Sequence, residues 1–397
     1  AIKKDLERIK RLGVDVIYLT PINEIGIKER KGTWGSPYAS KDYLSISEDL
    51  GNKEELIDLI NEVHNYGMKI IIDMVFNHTA PDSVLLEEHP EYYFYRDGKL
   101  GNRVGDWSDI VDLDTKREDT QDYLVSVLKY WKDVGFDGYR FDVCSMVNFN
   151  VFLKARKVLG NELIFVGESI EKSFAEYLIQ SGYDATLDDE YEGIMDYLYN
   201  YHAINDLKNY VQGQDKDGLK KYLEQYQKDL EEGSKIQRLN CLENHDLDRI
   251  NSYFSNELVL KNVVAINALL KGASFIYAGQ EYGNKHKPEL FEKDPVQWDY
   301  SQIDLYEFYK CLNVLKKVKE YQDYNHLDLE WFDNDTALKM TLRKDHDISL
   351  IGLFSLDGNK HTFPIDNGHY SEYIKKGLIQ VKDNKLTSQN PLILFKI

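Results

Sequence analysis

The first three quarters of the chain repeat one pattern: an amphipathic stretch, a glycine, and then a short apolar run. The pattern occurs seven times. Apolar residues at i, i+3 and i+4, such as Leu124, Val127 and Leu128, predict that the amphipathic stretches are helices. A glycine just past a helix end can adopt the left-handed conformation that closes the helix, and β-branched and aromatic runs suit buried strands. The glycines are Gly13, Gly67, Gly135, Gly160, Gly182, Gly233 and Gly272.

The apolar runs after these glycines are interpreted as seven strands of a parallel sheet. Alternating helices and strands in this number imply either an open, doubly wound sheet or a closed (β/α)8 barrel. Closure needs an eighth strand, and because the chain starts directly with a helix, we expect the first strand to lie upstream of Ala1, lost by truncation. The alternative is an eighth strand recruited from elsewhere. We predict an α/β fold, a (β/α)8 TIM barrel that lacks its first strand in this chain. The runs are VDVIYLT, MKIIIDMVF, FDGYRFDV, NELIFVGE, YDATLDD, SKIQRLNCLE and ASFIYAG.

Two segments depart from the repeat. Residues 79–114 form an unusually long connection after MKIIIDMVF, which is strand 3 of the barrel when the missing first strand is counted. Loops of this length are usually functional, so we predict an inserted loop subdomain there. After about residue 325, alternation such as Leu338, Met340 and Leu342 predicts antiparallel strands. The predicted organisation is therefore a barrel domain over residues 1–325, carrying the subdomain 79–114, and a C-terminal antiparallel β-sandwich over residues 326–397.

Composition narrows the class of partner. The 397 residues include 68 acidic and 49 basic side chains, and the net charge of −19 repels nucleic acid and anionic membrane surfaces, which favours a neutral partner. No apolar run has the length that crosses a bilayer. The three cysteines lack the spacing of a zinc site or a disulfide framework and favour a cytoplasmic protein, whereas a missing N-terminal segment could have carried an export signal. The sequence does not predict the oligomeric state.

Reactive side chains recur where the predicted strands end, as they do in barrels of this kind. Two carboxyl groups that face each other across an acetal can cleave it, one as nucleophile and the other as proton donor. Arg140 lies two positions before Asp142, so both side chains point to the same side of a strand, and the guanidinium is expected to keep that carboxylate ionised at neutral pH. The candidates are Asp73, Asn77, His78, Arg140, Asp142, Glu168, Asn244, His245 and Asp246, with Tyr38 as an aromatic platform.

Four segments resemble, in order, the conserved segments of the α-amylase family of glycoside hydrolases: DMVFNH at 73–78, GYRFD at 138–142, GE at 167–168 and ENHD at 243–246. Further similar stretches are GVDVIYLTPI, GSPYASKDY, YAGQEYG and LFEKDPVQW, so that the resemblance spans roughly residues 13–300. It implies a retaining glycosidase with Asp142 as nucleophile, Glu168 as general acid/base and Asp246 as transition-state stabiliser. It also implies sugar contacts from Tyr38, His78, Arg140 and His245, with Asp73 holding Arg140.

The sequence departs from the family pattern at two further places besides its first strand. Ser145 and Met146 stand where typical endo-acting amylases carry Lys-His, so the usual contact to the leaving group is absent. The long loop is shorter than in many calcium-dependent members. Asn77 and Asp112 match positions that bind a structural calcium in some relatives, but two oxygen ligands fall short of the six to eight that calcium takes. No cofactor is expected for the chemistry; the alternatives for Asn77 and Asp112 are a structural calcium or hydrogen bonds that close the loop.

The predicted function is therefore that of an α-amylase, which cleaves α-1,4-glucosidic bonds in starch-like glucans or malto-oligosaccharides. Three enzymatic alternatives stay open: an exo-acting α-glucosidase, an oligo-α-1,6-glucosidase, which Val143 beside the nucleophile resembles, and a transglycosylase. A non-enzymatic alternative is an inactive family member that binds carbohydrate or serves as a partner subunit.

Overall fold

The computed structural model describes residues 2–105, 107–298 and 303–397. The chain forms two compact units. Unit 1 comprises residues 1–202 with 288–295, and unit 2 comprises residues 203–287 with 296–397. The division between the units falls after residue 202. The sequence predicts a change from helices and parallel strands to antiparallel strands near residue 325, and the first strand of the C-terminal antiparallel sheet begins at His326.

Unit 1 contains a parallel sheet of five strands in the order β1-β4-β9-β10-β11. Every residue of β9 is buried, as expected for a strand covered on both faces. The strands of unit 1 are β1 Val16–Leu19, β2 Glu24–Ile25, β3 Ser40–Asp42, β4 Lys69–Met74, β5 His78–Thr79, β6 Tyr95–Arg96, β7 Lys99–Leu100, β8 Val111–Asp112, β9 Gly138–Phe141, β10 Ile164–Gly167 and β11 Tyr197–Tyr199.

The helices of unit 1 bury the apolar stripes that the periodicity predicts. In the longest of them, Leu124, Leu128 and Trp131 are fully buried. The helix ends where Gly135 takes a φ of 125°, a conformation that other residues rarely adopt. The helices are α1 Leu6–Arg11, α2 Lys53–Asn65, α3 Val84–Glu88, α4 Glu118–Val134, α5 Asn150–Leu159 and α6 Lys172–Gln180, with 3₁₀ turns at Ile2–Asp5, Pro90–Tyr92, Cys144–Met146, Asp188–Tyr191 and Asn200–His202.

The predicted position of the fifth strand is wrong. The run YDATLDD at 183–189 is irregular, and the strand that pairs with β10 is β11, which starts at Tyr197. The run bonds to another loop instead, since the Thr186 N–H donates to the Ser145 carbonyl at 3.0 Å and the side-chain carboxylate of Asp184 accepts from the Asn148 side chain at 2.9 Å. Gly182 does have a positive φ, so the glycine signal marks a turn here but not the start of a strand.

The long connection after β4 forms a small folded insertion. Strand β5 pairs antiparallel with β8, and β6 pairs with β7 in a hairpin. Buried hydroxyls of Thr79, Ser83 and Tyr93 bond to one another at 2.8–2.9 Å and close its core. The insertion therefore starts and ends beside His78, at the carboxyl end of the sheet.

Unit 2 contains a parallel strand pair, β12 with β13, and an antiparallel sheet of six strands in the order β14-β15-β16-β21-β18-β19, beside the pair β17-β20. Its strands are β12 Arg238–Asn240, β13 Ala273–Ser274, β14 His326–Phe332, β15 Ala337–Lys344, β16 Asp347–Ser355, β17 His361–Pro364, β18 Gly368–Glu372, β19 Gly377–Val381, β20 Lys385–Ser388 and β21 Leu392–Lys396. Its helices are α7 Ile204–Val211, α8 Gly218–Glu231, α9 Ile250–Tyr253, α10 Glu257–Leu269, α11 Tyr306–Leu315 and α12 Lys319–Asp323, with a 3₁₀ turn at Gln280–Tyr282.

Residues 288–295 belong to unit 1 although the chain on either side belongs to unit 2. The Phe291 carbonyl accepts the backbone N–H groups of Trp34 and Gly35 at 3.0 and 3.3 Å, and the Glu292 carboxylate accepts the Thr33 N–H at 3.0 Å. A late segment of sequence thus completes a loop near the start of the chain. Within the described ranges, none of the helices combines the length and apolar character that crossing a membrane requires.

Candidate active site

Four charged residues that the sequence analysis selected meet at the carboxyl ends of β4, β9 and β10. Asp73 on β4 pairs in register with Arg140 on β9, and Arg140 pairs with Val166 on β10. Asp142 and Glu168 directly follow the last residues of β9 and β10. Parallel strands end at the same edge of a sheet, so the register alone brings these side chains together.

The guanidinium of Arg140 contacts all three acids. Its Nη1 donates to both oxygens of Asp73 at 2.9 Å and to Oδ1 of Asp142 at 2.8 Å, and its Nη2 lies 2.8 Å from Oε2 of Glu168. All four side chains are buried. The two carboxyl groups proposed for catalysis thus contact the two terminal nitrogens of one planar cation, Asp142 through a hydrogen bond to Nη1 and Glu168 through an ion pair with Nη2.

Two tyrosines complete the support of Asp73. The hydroxyls of Tyr18 on β1 and Tyr38 both donate to Oδ2 of Asp73, at 2.6 and 3.0 Å. Burial raises the pKa of each tyrosine well above its ordinary value, so both hydroxyls keep their protons and act as donors. Tyr38, predicted as a sugar contact, therefore also holds Asp73, and Tyr18 was missed. Its signal was an aromatic side chain on the first strand, two residues before the end of the predicted run VDVIYLT.

The backbone turns sharply after Asp142. Val143 has a φ of 35°, a left-handed conformation that is rare for a β-branched residue and costs on the order of 1–3 kcal/mol. The turn aims the Val143 N–H at Oε2 of Glu168, 3.0 Å away, and the Cys144 N–H at the Glu168 carbonyl, 2.9 Å away. The strain is therefore used to attach the chain after Asp142 to Glu168.

The electrostatics differ from the sequence-based expectation that Arg140 keeps Asp142 ionised. Burial raises the pKa of Asp142 well above its ordinary value; Arg140 opposes this, while Glu168 and Asp73 add to it. Burial likewise raises the pKa of Asp73 against the effect of Arg140. Burial lowers the pKa of Arg140, but Asp73 and Glu168 outweigh it and keep the guanidinium charged. One cation lies among three buried carboxylates, and burial together with the neighbouring carboxylates raises the pKa values of Asp142 and Asp73 against the effect of Arg140.

His78 lies at the start of β5, where the insertion leaves the sheet. Its Nδ1 is 3.1 Å from Nδ2 of Asn77. Burial lowers the pKa of His78 to about 4, with Asp112 and Asp109 opposing, so the ring is neutral at pH 7. A neutral imidazole can donate one hydrogen bond to a sugar hydroxyl, as predicted for this residue.

Asn77 and Asp112, the predicted calcium ligands, do lie together, with Nδ2 of Asn77 3.5 Å from Oδ1 of Asp112. However, Arg103 from the insertion donates to Oδ1 of Asn77 and, through its N–H and Nε, to Oδ2 of Asp112 at 2.7 and 3.1 Å. The arrangement does not fit calcium, because a guanidinium already uses these oxygens and would repel a second cation. Across residues 2–105, 107–298 and 303–397, no cluster of three or more His, Cys, Asp or Glu side chains could hold a metal.

The remaining predicted residues, His245 and Asp246, lie in unit 2, in the loop that follows β12. Nε2 of His245 is 3.1 Å from Oδ2 of Asp246, whose side chain is half exposed. Oδ1 of Asn244 accepts the Asp246 N–H at 2.9 Å, and Nζ of Lys287 donates to the Asp246 carbonyl at 2.7 Å. The predicted strand SKIQRLNCLE is regular only over Arg238–Asn240, so Asp246 sits on a loop held by side chains rather than on a strand end.

Glu243 and Arg249 fix the two ends of this loop. Both are fully buried, with Nη1 of Arg249 2.7 Å from Oε1 of Glu243, while Oε2 accepts the Ile250 N–H at 2.7 Å. Burial raises the pKa of Glu243 to about 7, with Arg249 opposing. Sequence analysis included Glu243 only as part of the segment ENHD and did not select Arg249.

Known proteins similar to this chain identify its family and fold. The model of the family described as "Alpha amylase, catalytic domain" matches residues 1–323. The solved structure of an α-amylase from Lactobacillus plantarum is 33% identical, covers 99% of this chain and 93% of its own, and superimposes with a TM-score of 0.91. The predicted fold class, a TIM barrel with a C-terminal antiparallel sheet domain, is confirmed.

Two curated relatives are named as enzymes of different specificity. "Alpha-amylase 2" from Dictyoglomus thermophilum is 24% identical over 99% of this chain, and an oligo-1,6-glucosidase from Bacillus cereus is 25% identical over 79% of it. The chain spans 69% and 65% of the length of these relatives. Since the family model covers most of the chain, the chain belongs to the α-amylase family of glycoside hydrolases.

Proposed function

We propose that the chain hydrolyses α-1,4-glucosidic bonds in starch-like glucans or malto-oligosaccharides with retention of configuration. The observation that carries the proposal is the contact of Asp142 and Glu168 with the two terminal nitrogens of the Arg140 guanidinium. The two carboxyl groups lie at the carboxyl end of the sheet and share the single positive charge of Arg140. Such a pair can provide one ionised nucleophile and one protonated donor.

The reaction follows in two steps. Glu168 protonates the departing glycosidic oxygen while an oxygen of Asp142 attacks the anomeric carbon, which breaks the C–O bond and forms a covalent glycosyl-enzyme. Glu168, now ionised, takes a proton from water, and the resulting hydroxide attacks the same carbon and releases Asp142 and an α-configured sugar. We propose Asp246 as the transition-state stabiliser, holding the hydroxyls of the distorted sugar, and His245 as a contact to a sugar hydroxyl, the roles that the family resemblance implies.

Hydrolysis of a chromogenic α-maltooligoside tests the proposal, with Glu168→Gln as the inactive comparison. We expect activity in the wild-type protein, α-configured product at early times by proton NMR, and a loss of about 10²–10⁴-fold in the variant, the range that general acid/base groups contribute. Equal, measurable rates in both proteins would contradict the role of Glu168, whereas no turnover in either protein would favour an inactive member that binds carbohydrate.

A second candidate is cleavage of α-1,6 bonds or release of single glucose units. It is favoured by the positions where endo-acting amylases carry Lys-His: Ser145 and Met146 are buried here, and the Ser145 hydroxyl accepts the Ile170 N–H at 3.1 Å. The name of the Bacillus cereus relative points the same way. Product analysis separates the candidates: mixed oligomers from amylose indicate endo attack on α-1,4 bonds, glucose alone indicates exo attack, and turnover of isomaltose indicates α-1,6 activity. Transfer products at high sugar concentration would identify a transglycosylase.

A further inference from the structure

Arg103 is a cation built into the insertion at the edge of the candidate site. Its side chain is 9% exposed and makes contact with three separate segments of the chain. Besides its bonds to Asn77 and Asp112, its Nη1 donates to the Met146 carbonyl at 3.1 Å. The insertion is thereby attached to the chain after β4 and to the turn that follows Asp142.

The chemistry of this cation decides which way the Asn77 amide faces. A guanidinium only donates hydrogen bonds, so the group of Asn77 that faces Arg103 must be the carbonyl oxygen. The NH₂ group then faces Nδ1 of His78 at 3.1 Å and Oδ1 of Asp112 at 3.5 Å. Amide orientations are otherwise assigned from the network of partners. Here the reversed amide would place NH₂ against the guanidinium and oxygen against a carboxylate, which excludes it.

The orientation of the amide in turn decides where the ring proton of His78 lies. Because Nδ2 of Asn77 donates, Nδ1 of His78 must accept, and a neutral imidazole then carries its proton on Nε2. The Tyr38 carbonyl forms a hydrogen bond with the ring, which raises its pKa against the effect of burial and requires a ring N–H; since Asn77 occupies Nδ1, that donor is Nε2–H. We propose that Arg103, acting through Asn77, sets the tautomer of His78 so that Nε2–H is an obligate donor, which the Tyr38 carbonyl accepts in this structure and which a substrate hydroxyl shares when bound. Arg103 and Asn77 are positioning residues in this scheme. The tautomer follows from the contacts alone, whereas the substrate hydroxyl rests on the proposed function.

The same contacts give Arg103 a role that a metal could otherwise fill at this position. A calcium ion bound to Oδ1 of Asn77 would impose the same amide orientation on His78, because a metal also attracts oxygen and not NH₂. Arg103 does this with a charge that belongs to the chain. We therefore expect a chelator to leave the tautomer, the melting temperature and the activity unchanged.

The direct test is the nitrogen NMR spectrum of protein labelled with ¹⁵N-histidine, with His78→Gln used to assign the signal of His78. In the wild-type protein we expect an unprotonated Nδ1 and a protonated Nε2, with and without EDTA. In Asn77→Asp the carboxylate can only accept, so Nδ1 should gain a proton. KM should rise on the order of fivefold, the loss of about one neutral hydrogen bond, with a smaller change in kcat.

Three variants control for a general structural effect. Arg103→Lys keeps a donor-only cation and should keep the wild-type tautomer, whereas Arg103→Met should let Nδ1 become protonated in part of the molecules. Lys99→Ala, an exposed change in the same insertion, should alter neither KM nor the spectrum. If Arg103→Met does not fold, the wild-type and Asn77→Asp spectra still decide.

A wild-type spectrum with the proton on Nδ1, an unchanged spectrum in Asn77→Asp or in folded Arg103→Met, or a spectrum that changes with EDTA would overturn the inference and leave the proposed function standing. Absence of glycosidase activity in the wild-type protein would contradict the proposed function and leave the tautomer standing.

Discussion

Each unit of the molecule contains a buried arginine that binds buried acid, and the two sites differ in their charge balance. In unit 1, Arg140 contacts three carboxylates. In unit 2, Arg249 contacts the single carboxylate of Glu243, and its other nitrogens donate to the His286 and Ala278 carbonyls at 3.0 and 2.9 Å.

The difference teaches what each arginine does. One guanidinium against one carboxylate, with carbonyls on the remaining donors, is a closed arrangement that holds a loop. One guanidinium against three carboxylates leaves excess negative charge in a buried place, which costs stability and raises the pKa values of Asp142 and Asp73. The second arrangement is the one that acid/base chemistry needs, and changes at both arginine sites test this reading.

The largest effect is expected for Asp142→Asn. The amide has nearly the shape of the carboxylate but cannot attack the anomeric carbon, so kcat should fall by about 10⁴-fold or more, as when other nucleophiles are removed. Hydrolysis of the chromogenic substrate measures this. Asp133→Asn, the same change on the exposed face of α4, should leave the rate unchanged. An active Asp142→Asn enzyme would remove the nucleophile from the proposal.

The next effect is expected for Arg249→Met, on stability rather than chemistry. Removing the cation leaves the Glu243 carboxylate buried and unpaired, which should lower the free energy of unfolding by about 3–5 kcal/mol. Denaturant unfolding measures it, with the exposed Arg117→Met as control. Glu243→Gln should cost much less, because the pKa of about 7 already leaves this acid partly neutral. If Arg249→Met and Glu243→Gln lowered the free energy of unfolding equally, the expectation that removing the cation costs more than neutralising the acid would be contradicted.

The third prediction concerns pH. Since burial raises the pKa of Asp142, the nucleophile becomes protonated, and kcat/KM falls, at a higher pH than an ordinary aspartate would give. The raised pKa of Asp142 also affects the free energy of unfolding. The folded state binds this proton more tightly than the unfolded state does. Asp142 therefore does not lower the free energy of unfolding at a pH below its ordinary pKa, and it lowers that free energy as the pH rises from there towards the raised value.

Asp142→Asn should therefore melt at a higher temperature than the wild-type protein at pH 7, and the difference should disappear at low pH. Calorimetry at both pH values checks the sign. A variant that is less stable at pH 7 would show that the contact with Arg140 outweighs the burial of charge at Asp142.

The smallest effect is expected for Tyr18→Phe, which removes one of the two hydroxyls that donate to Asp73. The loss of a hydrogen bond to a charged group costs about 1.5–3 kcal/mol, and the Tyr38 hydroxyl on the same oxygen should reduce this. We expect a lower melting temperature and a few-fold lower kcat. Tyr66→Phe is the matched control, because Tyr66 directly follows α2 and is not one of the candidate site residues.

Much of unit 1 could be predicted because its signals are local. Strand ends carry the reactive residues, and a spacing of two residues places Arg140 and Asp142 on one side of β9. The missing parts depend on contacts between distant segments. Arg103 contacts Asn77 and Met146, which are 26 and 43 positions away, and no local pattern marks such partners.

At two positions the local sequence did not predict the observed backbone. Gly182 marks a turn but is followed by hydrophilic chain that bonds to a loop, so the fifth strand forms fifteen residues later, at Tyr197. Val143 reads as a strand residue, and its left-handed conformation follows only from the need to reach Glu168. In both cases tertiary contacts override the local preference.

The placement of residues 288–295 in unit 1 has a consequence for biosynthesis. During translation the ribosome releases the first 202 residues long before Phe291 emerges, so the backbone donors of Trp34 and Gly35 must wait for their acceptor. Nascent unit 1 would complete this loop only after Phe291 has been synthesised, and during that interval its incomplete loop is a place where a chaperone could protect the chain.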